Sequence, residues 1–229
     1  MTLRRKSRLV STLIIGWGVL LILIFPASLP DNSALLEKGF KTPIIAFEFV
    51  ETKAEVKAVF DGAAPGYREG MKLGNILDYI YMLLYGSLLF LVAGMLLQKS
   101  AWLRPTRFLA VAAPLFDGLE NVMLFLLQAD NEASEYILWL RIFTWGKWLA
   151  LALIFLIFSL QARVESSEPG RRAIWPMKAI WLLCLPAAIV AFVRPGAFTE
   201  LFSATIMLSF IAAMVFVWLP ARKQPDLIA

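Results

Sequence analysis

Along the chain the apolar residues gather into six continuous runs of about 20, separated by short polar stretches, and do not form the stripes of surface helices. At about 1.5 Å of rise per residue, each run is long enough to cross a hydrocarbon core of about 30 Å. The pattern predicts an all-α polytopic membrane protein. It places six transmembrane helices at about 9–29, 75–97, 105–128, 136–160, 174–193 and 200–219, all within one membrane domain spanning 1–229. The first run follows Arg4, Arg5, Lys6 and Arg8, as in a secretory leader. Its apolar core from Leu9 to Phe25 exceeds the usual roughly 7 to 15 residues, and Pro26-Ala27-Ser28 makes a poor cleavage site, so it reads as an uncleaved anchor.

The one sizeable polar segment is the loop over 30–73. Thr42-Pro43 reads there as a helix N-cap followed by the first helical position, and Thr52 with Glu55 reads as a capping box. Two short amphipathic helices follow, at about 43–50 and 53–60, with Ile45, Phe49, Val56 and Phe60 at helical spacing. They rest on the bilayer or on the helix ends, or act as a lid over an outward-facing cavity. Asp61-Gly62-Ala63-Ala64-Pro65-Gly66 forms a turn into the second span and lacks the lysine of a phosphate-binding loop.

Composition narrows the chemistry. The chain is 60% hydrophobic and 17% charged, against about half and a quarter in soluble domains, which argues against a soluble enzyme. It has no histidine and a single cysteine, Cys184, so imidazole catalysis, histidine-ligated metals and internal disulfides are excluded and no cofactor or metal is expected. With the N-terminus in the cytosol, the cytoplasmic segments hold 13 basic and three acidic residues, and the opposite side seven and 11. Basic residues resist translocation, which predicts both termini inside and the 30–73 loop outside. The +5 net charge is thus a topology signal and implies no nucleic-acid partner.

The second, third and fourth spans carry Asp78, Asp117, Glu120, Arg141 and Lys147. An ionised group at the bilayer centre costs at least about 2.5 to 3.5 kcal/mol, so these side chains must face one another or water. Counting rise per residue puts Asp117 and Lys147 together, about 16 Å below the outer boundary. The same count puts Glu120, Arg141 and Asp78 in a shallower tier, at about 11, 7 and 5 Å. Asp117, Glu120, Asn121 and Leu124 share one helix face, and Asp78 shares a face with Tyr85, with Tyr81 about 60° away. Pro114 beside Asp117 suggests a kink that frees a carbonyl near the carboxylate. Three readings stay open: ion pairs that only orient helices, a ligand or ion site, and an intramembrane enzyme. The last lacks an evident aspartyl dyad, because Asp78 and Asp117 differ in depth by roughly 10 Å. It also lacks a glycine-serine nucleophile turn. The fifth and sixth spans, without interior ionisable residues, read as scaffold, lipid-facing wall or oligomer surface.

The run Ile45-Ala46-Phe47-Glu48-Phe49 with Thr52, then Asp78 with Tyr81 and Tyr85, then Asp117-Gly118-Leu119-Glu120-Asn121 and Lys147-Trp148, is similar to a set of uncharacterised bacterial multi-span integral membrane proteins. The resemblance covers about residues 40–160. It implies a bacterial inner-membrane location, groups Glu48 with the intramembrane polar residues, and implies no activity. If the first loop helix caps the bundle, Glu48 is placed to reach Arg141. The expected ligand-binding set is therefore Glu48, Asp78, Tyr81, Tyr85, Asp117, Glu120, Asn121, Arg141 and Lys147. The expected partners are membrane lipids and a small molecule or ion met from the outer side for transport or sensing.

Overall fold

The computed structural model describes residues 2–130, 134–162 and 171–219, and these are helical apart from the connections. The elements are α1 (Leu3–Ile24), α2 (Ala34–Glu37), α3 (Pro43–Glu48), α4 (Lys53–Phe60), α5 (Tyr67–Leu96), α6 (Leu103–Ala129), α7 (Ser134–Gln161), α8 (Arg171–Val193) and α9 (Ala197–Trp218). Six of them are long and apolar enough to cross a membrane, and the protein is a multi-pass membrane protein. Several of the charges behind the predicted orientation, including Arg163 and Arg222, lie outside the described residues.

The ends of the helices differ from the apolar runs for local reasons. Thr2 accepts the Arg5 amide at 3.3 Å and caps α1 well before the apolar run that opens at Leu9, and Pro26 follows its end. Gly66 takes φ +84°, a left-handed conformation few side chains tolerate, and α5 therefore starts at Tyr67, eight residues before the apolar run. α6 runs unbroken through Pro114. The carbonyl that Pro114 leaves without its helical partner is that of Ala110. It faces Gly86 of α5, where a Cβ would lie 3.0 Å from it and 2.5 Å from the Pro114 ring, so it is not near the Asp117 carboxylate. Gly86 is thus what lets α5 and α6 approach closely.

The long helices pack each against the next in sequence, from α5 to α9, with α1 against α5 and touching α9. Arg4 and Arg8 tie α1 to the end of α9. Arg4 donates to the Leu219 carbonyl, and Arg8 donates to Val217 O at 3.2 Å while its guanidinium covers the Trp218 ring.

The first loop is built into the bundle. The predicted capping box of α4 is present: Thr52 Oγ1 accepts the Glu55 amide at 3.2 Å, and Glu55 Oε2 accepts the Thr52 amide at 3.2 Å. Thr42 occupies the N-cap position of α3, but its hydroxyl does not cap the helix. It donates instead to Glu200 Oε2 at 2.7 Å, and Glu200 Oε1 accepts the Lys41 and Thr42 amides at 2.8 and 2.7 Å. A carboxylate on the first turn of α9 therefore holds the start of α3. Gly196, at φ +98°, completes the tether, since a Cβ there would lie 1.9 Å from the Lys38 carbonyl. Ala46, Phe47, Val56 and Val59 are fully buried, so these helices cap the bundle and do not rest on its surface.

Candidate functional site

The face of α7 that meets the cap is Thr144, Lys147 and Trp148, at i, i+3 and i+4, and it continues to Leu151 at i+7 on the cavity. Thr144 Oγ1 donates to the Glu48 carbonyl at 3.2 Å, and Trp148 Nε1 donates to Glu48 Oε2 at 3.0 Å. Lys147 Nζ then sits among three carboxylates, 3.1 Å from Glu48 Oε2, 3.2 Å from Asp117 Oδ1 and 2.8 Å from Glu120 Oε2. All four side chains are buried. Burial raises the Glu48 carboxyl above the ordinary carboxylate range, and the Lys147 ammonium opposes this only in part.

The Asp117–Lys147 pair stands as the depth count placed it. Glu120 does not: it joins the same ammonium and no shallower tier. The three residues separating it from Asp117 amount to less than one turn of about 5.4 Å, which the four-carbon stem of lysine bridges. Arg141 is not brought to the cluster. Its position is rotated about 120° from Lys147 on the helix, and it pairs with Glu51 at 3.7 Å, both side chains being about half exposed. The expected Glu48–Arg141 contact is replaced by Glu48 with Lys147 and Trp148, because α3 turns its carboxylate into the bundle.

Beside this cluster, α5 and α6 present a second polar group. Tyr85 donates to Asp117 Oδ2 at 2.7 Å and Asn121 Nδ2 donates to Asp78 Oδ2 at 2.9 Å. Tyr81 packs edge-on to Tyr85, with ring centroids 5.9 Å apart. It is Tyr79, two residues earlier, that donates to a backbone carbonyl, that of Gly118, at 3.2 Å.

These groups line a cavity of about 250 Å³. Glu48, Asp78, Asp117 and Lys147 supply its charge, Tyr81, Tyr85 and Asn121 its hydroxyl and amide groups, and α9 an apolar wall around Phe210. Asp78 and Asp117 thus open onto one space despite their separation in sequence depth. Sequence reasoning missed two contributors. Asn75 is buried, 1% exposed, and lines the cavity, yet neither its Nδ2 nor its Oδ1 has a hydrogen-bond partner among the described residues. It lies three residues before Asp78 on the same face, a spacing that could have revealed it had the span not been started there. The α9 wall carried no signal, because an apolar helix facing a cavity has the same composition as one facing lipid.

Among the described residues no group of three or more His, Cys, Asp or Glu is disposed to hold a metal ion. The space between the carboxylates of Glu48, Asp117 and Glu120 is taken by the Lys147 ammonium. Comparison of the chain with family models, curated proteins and solved structures found no match.

Proposed function

We propose that the protein is a bacterial inner-membrane protein that binds a small ligand or ion in the cavity between α3, α5, α6, α7 and α9, for transport or sensing. Its termini lie in the cytosol, and the cap of α2 to α4 lies on the opposite side. The observation that carries this reading is Asn75. A buried amide with both polar atoms unpaired costs about 1 to 3 kcal/mol for each group left unsatisfied, and it faces a cavity already lined by three carboxyls and one ammonium. Such a group is retained where something else supplies its partner.

The site has two halves with different work. The Lys147 side is saturated, since its ammonium meets three carboxylates drawn from α3 and α6, and it acts as a latch that fixes the cap on the bundle. Asn75, Asp78 and Tyr81 form the side left for a ligand.

The test is a thermal-unfolding panel on the purified full chain in lipid nanodiscs, using sodium, potassium, small amines, amino acids and single-chain amphiphiles. At least one compound should raise the unfolding midpoint of the wild type by several degrees and leave the Asp78→Asn protein unmoved. Equal shifts in both proteins, or none in either, would overturn the reading.

A further inference from the structure

The way into this cavity and the charge inside it together define a class of ligand, an inference that rests on the binding site proposed above. On α9 the cavity is lined at Ser203, Ile206, Met207, Phe210, Ile211 and Met214, the i, i+3, i+4, i+7, i+8 and i+11 positions of one face. That face runs for about 17 Å. Its neighbour α1 does not cover it. The contacts of Arg4 and Arg8 with α9 fall at residues 216 to 219, and α1 gives the cavity only Phe25, just past its last turn. Met207 and Ile211 line the cavity and are still 58% and 44% exposed, on a surface that in the membrane is met by hydrocarbon. Toward the loop side, Ile44, Ile45 and Glu48 of α3 form the roof. The opening is therefore lateral, between α1 and α9.

At the cavity wall one ammonium stands against three carboxyls, those of Glu48, Asp78 and Asp117, with the Glu120 carboxyl buried against the same ammonium, so the site is short of positive charge. Asn75 needs an acceptor for its Nδ2 and a donor for its Oδ1. Tyr81 and Tyr85 add ring faces suited to a cation, while the Trp148 ring already lies under the Lys147 ammonium. The volume of about 250 Å³ falls short of the roughly 300 to 1,000 Å³ of sites that enclose a whole drug-sized molecule, and so suits a head group whose chain stays outside.

We propose that the ligand is a bilayer-dissolved single-chain amphiphile whose head carries a protonated amine and a neighbouring oxygen acceptor, and that it reaches Asp78 and Asn75 through the gap between α1 and α9. The ammonium lies between the Asp78 carboxylate and Asn75 Oδ1, the oxygen accepts from Asn75 Nδ2, and the chain leaves along Met207 and Ile211.

The experiment uses a long-chain amino alcohol bearing a diazirine on its chain, crosslinked to the full chain in nanodiscs and mapped by mass spectrometry. Crosslinks are expected on α9 between Ser203 and Met214. 2-Aminododecan-1-ol should compete at least about tenfold better than dodecan-1-ol or dodecanoate, the discrimination that loss of one charged hydrogen bond gives. Ethanolamine, the same head without a chain, should not compete at a hundredfold excess. Asp78→Asn should weaken labelling about tenfold, and Met207→Trp, which narrows the opening without touching a polar group, should block it with the fold checked by its unfolding midpoint.

Ethanolamine competing as well as the long-chain amine would mean access from water and would overturn the lateral route while leaving the binding site standing. Dodecanoate competing best would overturn the cationic head. Absence of labelling on α9, in a protein whose midpoint still responds to other compounds in the panel through Asp78, would overturn this inference alone. The same absence with no response to any compound would overturn the binding site as well.

Discussion

Replacing Lys147 by Met removes one charge and strands three. At about 3 Å and an effective dielectric of about 20, each carboxylate–ammonium contact is worth about 5 kcal/mol of Coulomb attraction, most of it offset by desolvation of the charges. Breaking such a buried set by removing the shared cation costs about 3 to 5 kcal/mol, because Glu48, Asp117 and Glu120 must then take up protons or repel one another. Removing one acid is different. In Glu120→Gln the ammonium keeps two carboxylates and the carboxyl surplus falls, so the cost should be about 1 kcal/mol, the net value of a hydrogen bond. A double change of Lys147→Met with Asp117→Leu should recover only part of the loss, since two carboxyls stay unpaired. Adding Glu48→Gln and Glu120→Gln to Lys147→Met and Asp117→Asn should recover most of it. The assay is reversible unfolding in mixed micelles, followed by tryptophan fluorescence. A Lys147→Met protein no less stable than Glu120→Gln, or complete rescue by the double change, would refute the shared-cation account.

Trp148→Phe removes the indole donor to Glu48 and should loosen the cap, seen as faster amide exchange over residues 43–50 with unchanged exchange in α8. Arg141→Gln should shift stability by less than about 1 kcal/mol, since its pair with Glu51 is long and half exposed. Gly196→Ala should destabilise by more than about 1 kcal/mol in the same unfolding assay, because the residue has φ +98° and its Cβ would collide with the Lys38 carbonyl. For orientation, in a Cys184→Ser background, an impermeant thiol reagent on intact cells should label Asp61→Cys and spare Lys99→Cys. The reverse pattern would invert the topology.

The sequence made the six spans legible because a bilayer demands long apolar runs, and it made Asp117 and Lys147 partners because depth along a helix is countable. Rotation about the bundle was less legible. Glu120 was separated from Lys147 by counting backbone rise without side-chain reach, and Arg141 was grouped with the site although its helix position turns away. Glu48 was drawn toward Arg141 because nothing in a six-residue helix says which way its carboxylate faces. The anchoring of α3 by Glu200 joins positions about 160 apart, and no local pattern encodes it. Asn75 was lost to a span boundary set by hydropathy, which reads an asparagine beside glycine as an end and not as a buried group.

Asn75 is kept either for a ligand or for the fold, and one substitution separates the two. Asn75→Leu keeps the branching and heavy-atom count of the side chain and removes two buried polar atoms that lack partners among the described residues. The account predicts an unfolding midpoint in nanodiscs at or above that of the wild type, by up to about 3 kcal/mol in stability, together with loss of the compound-dependent shift seen in the panel. A clear fall in stability with the compound response intact would show that the amide serves the fold, and would contradict a ligand site there.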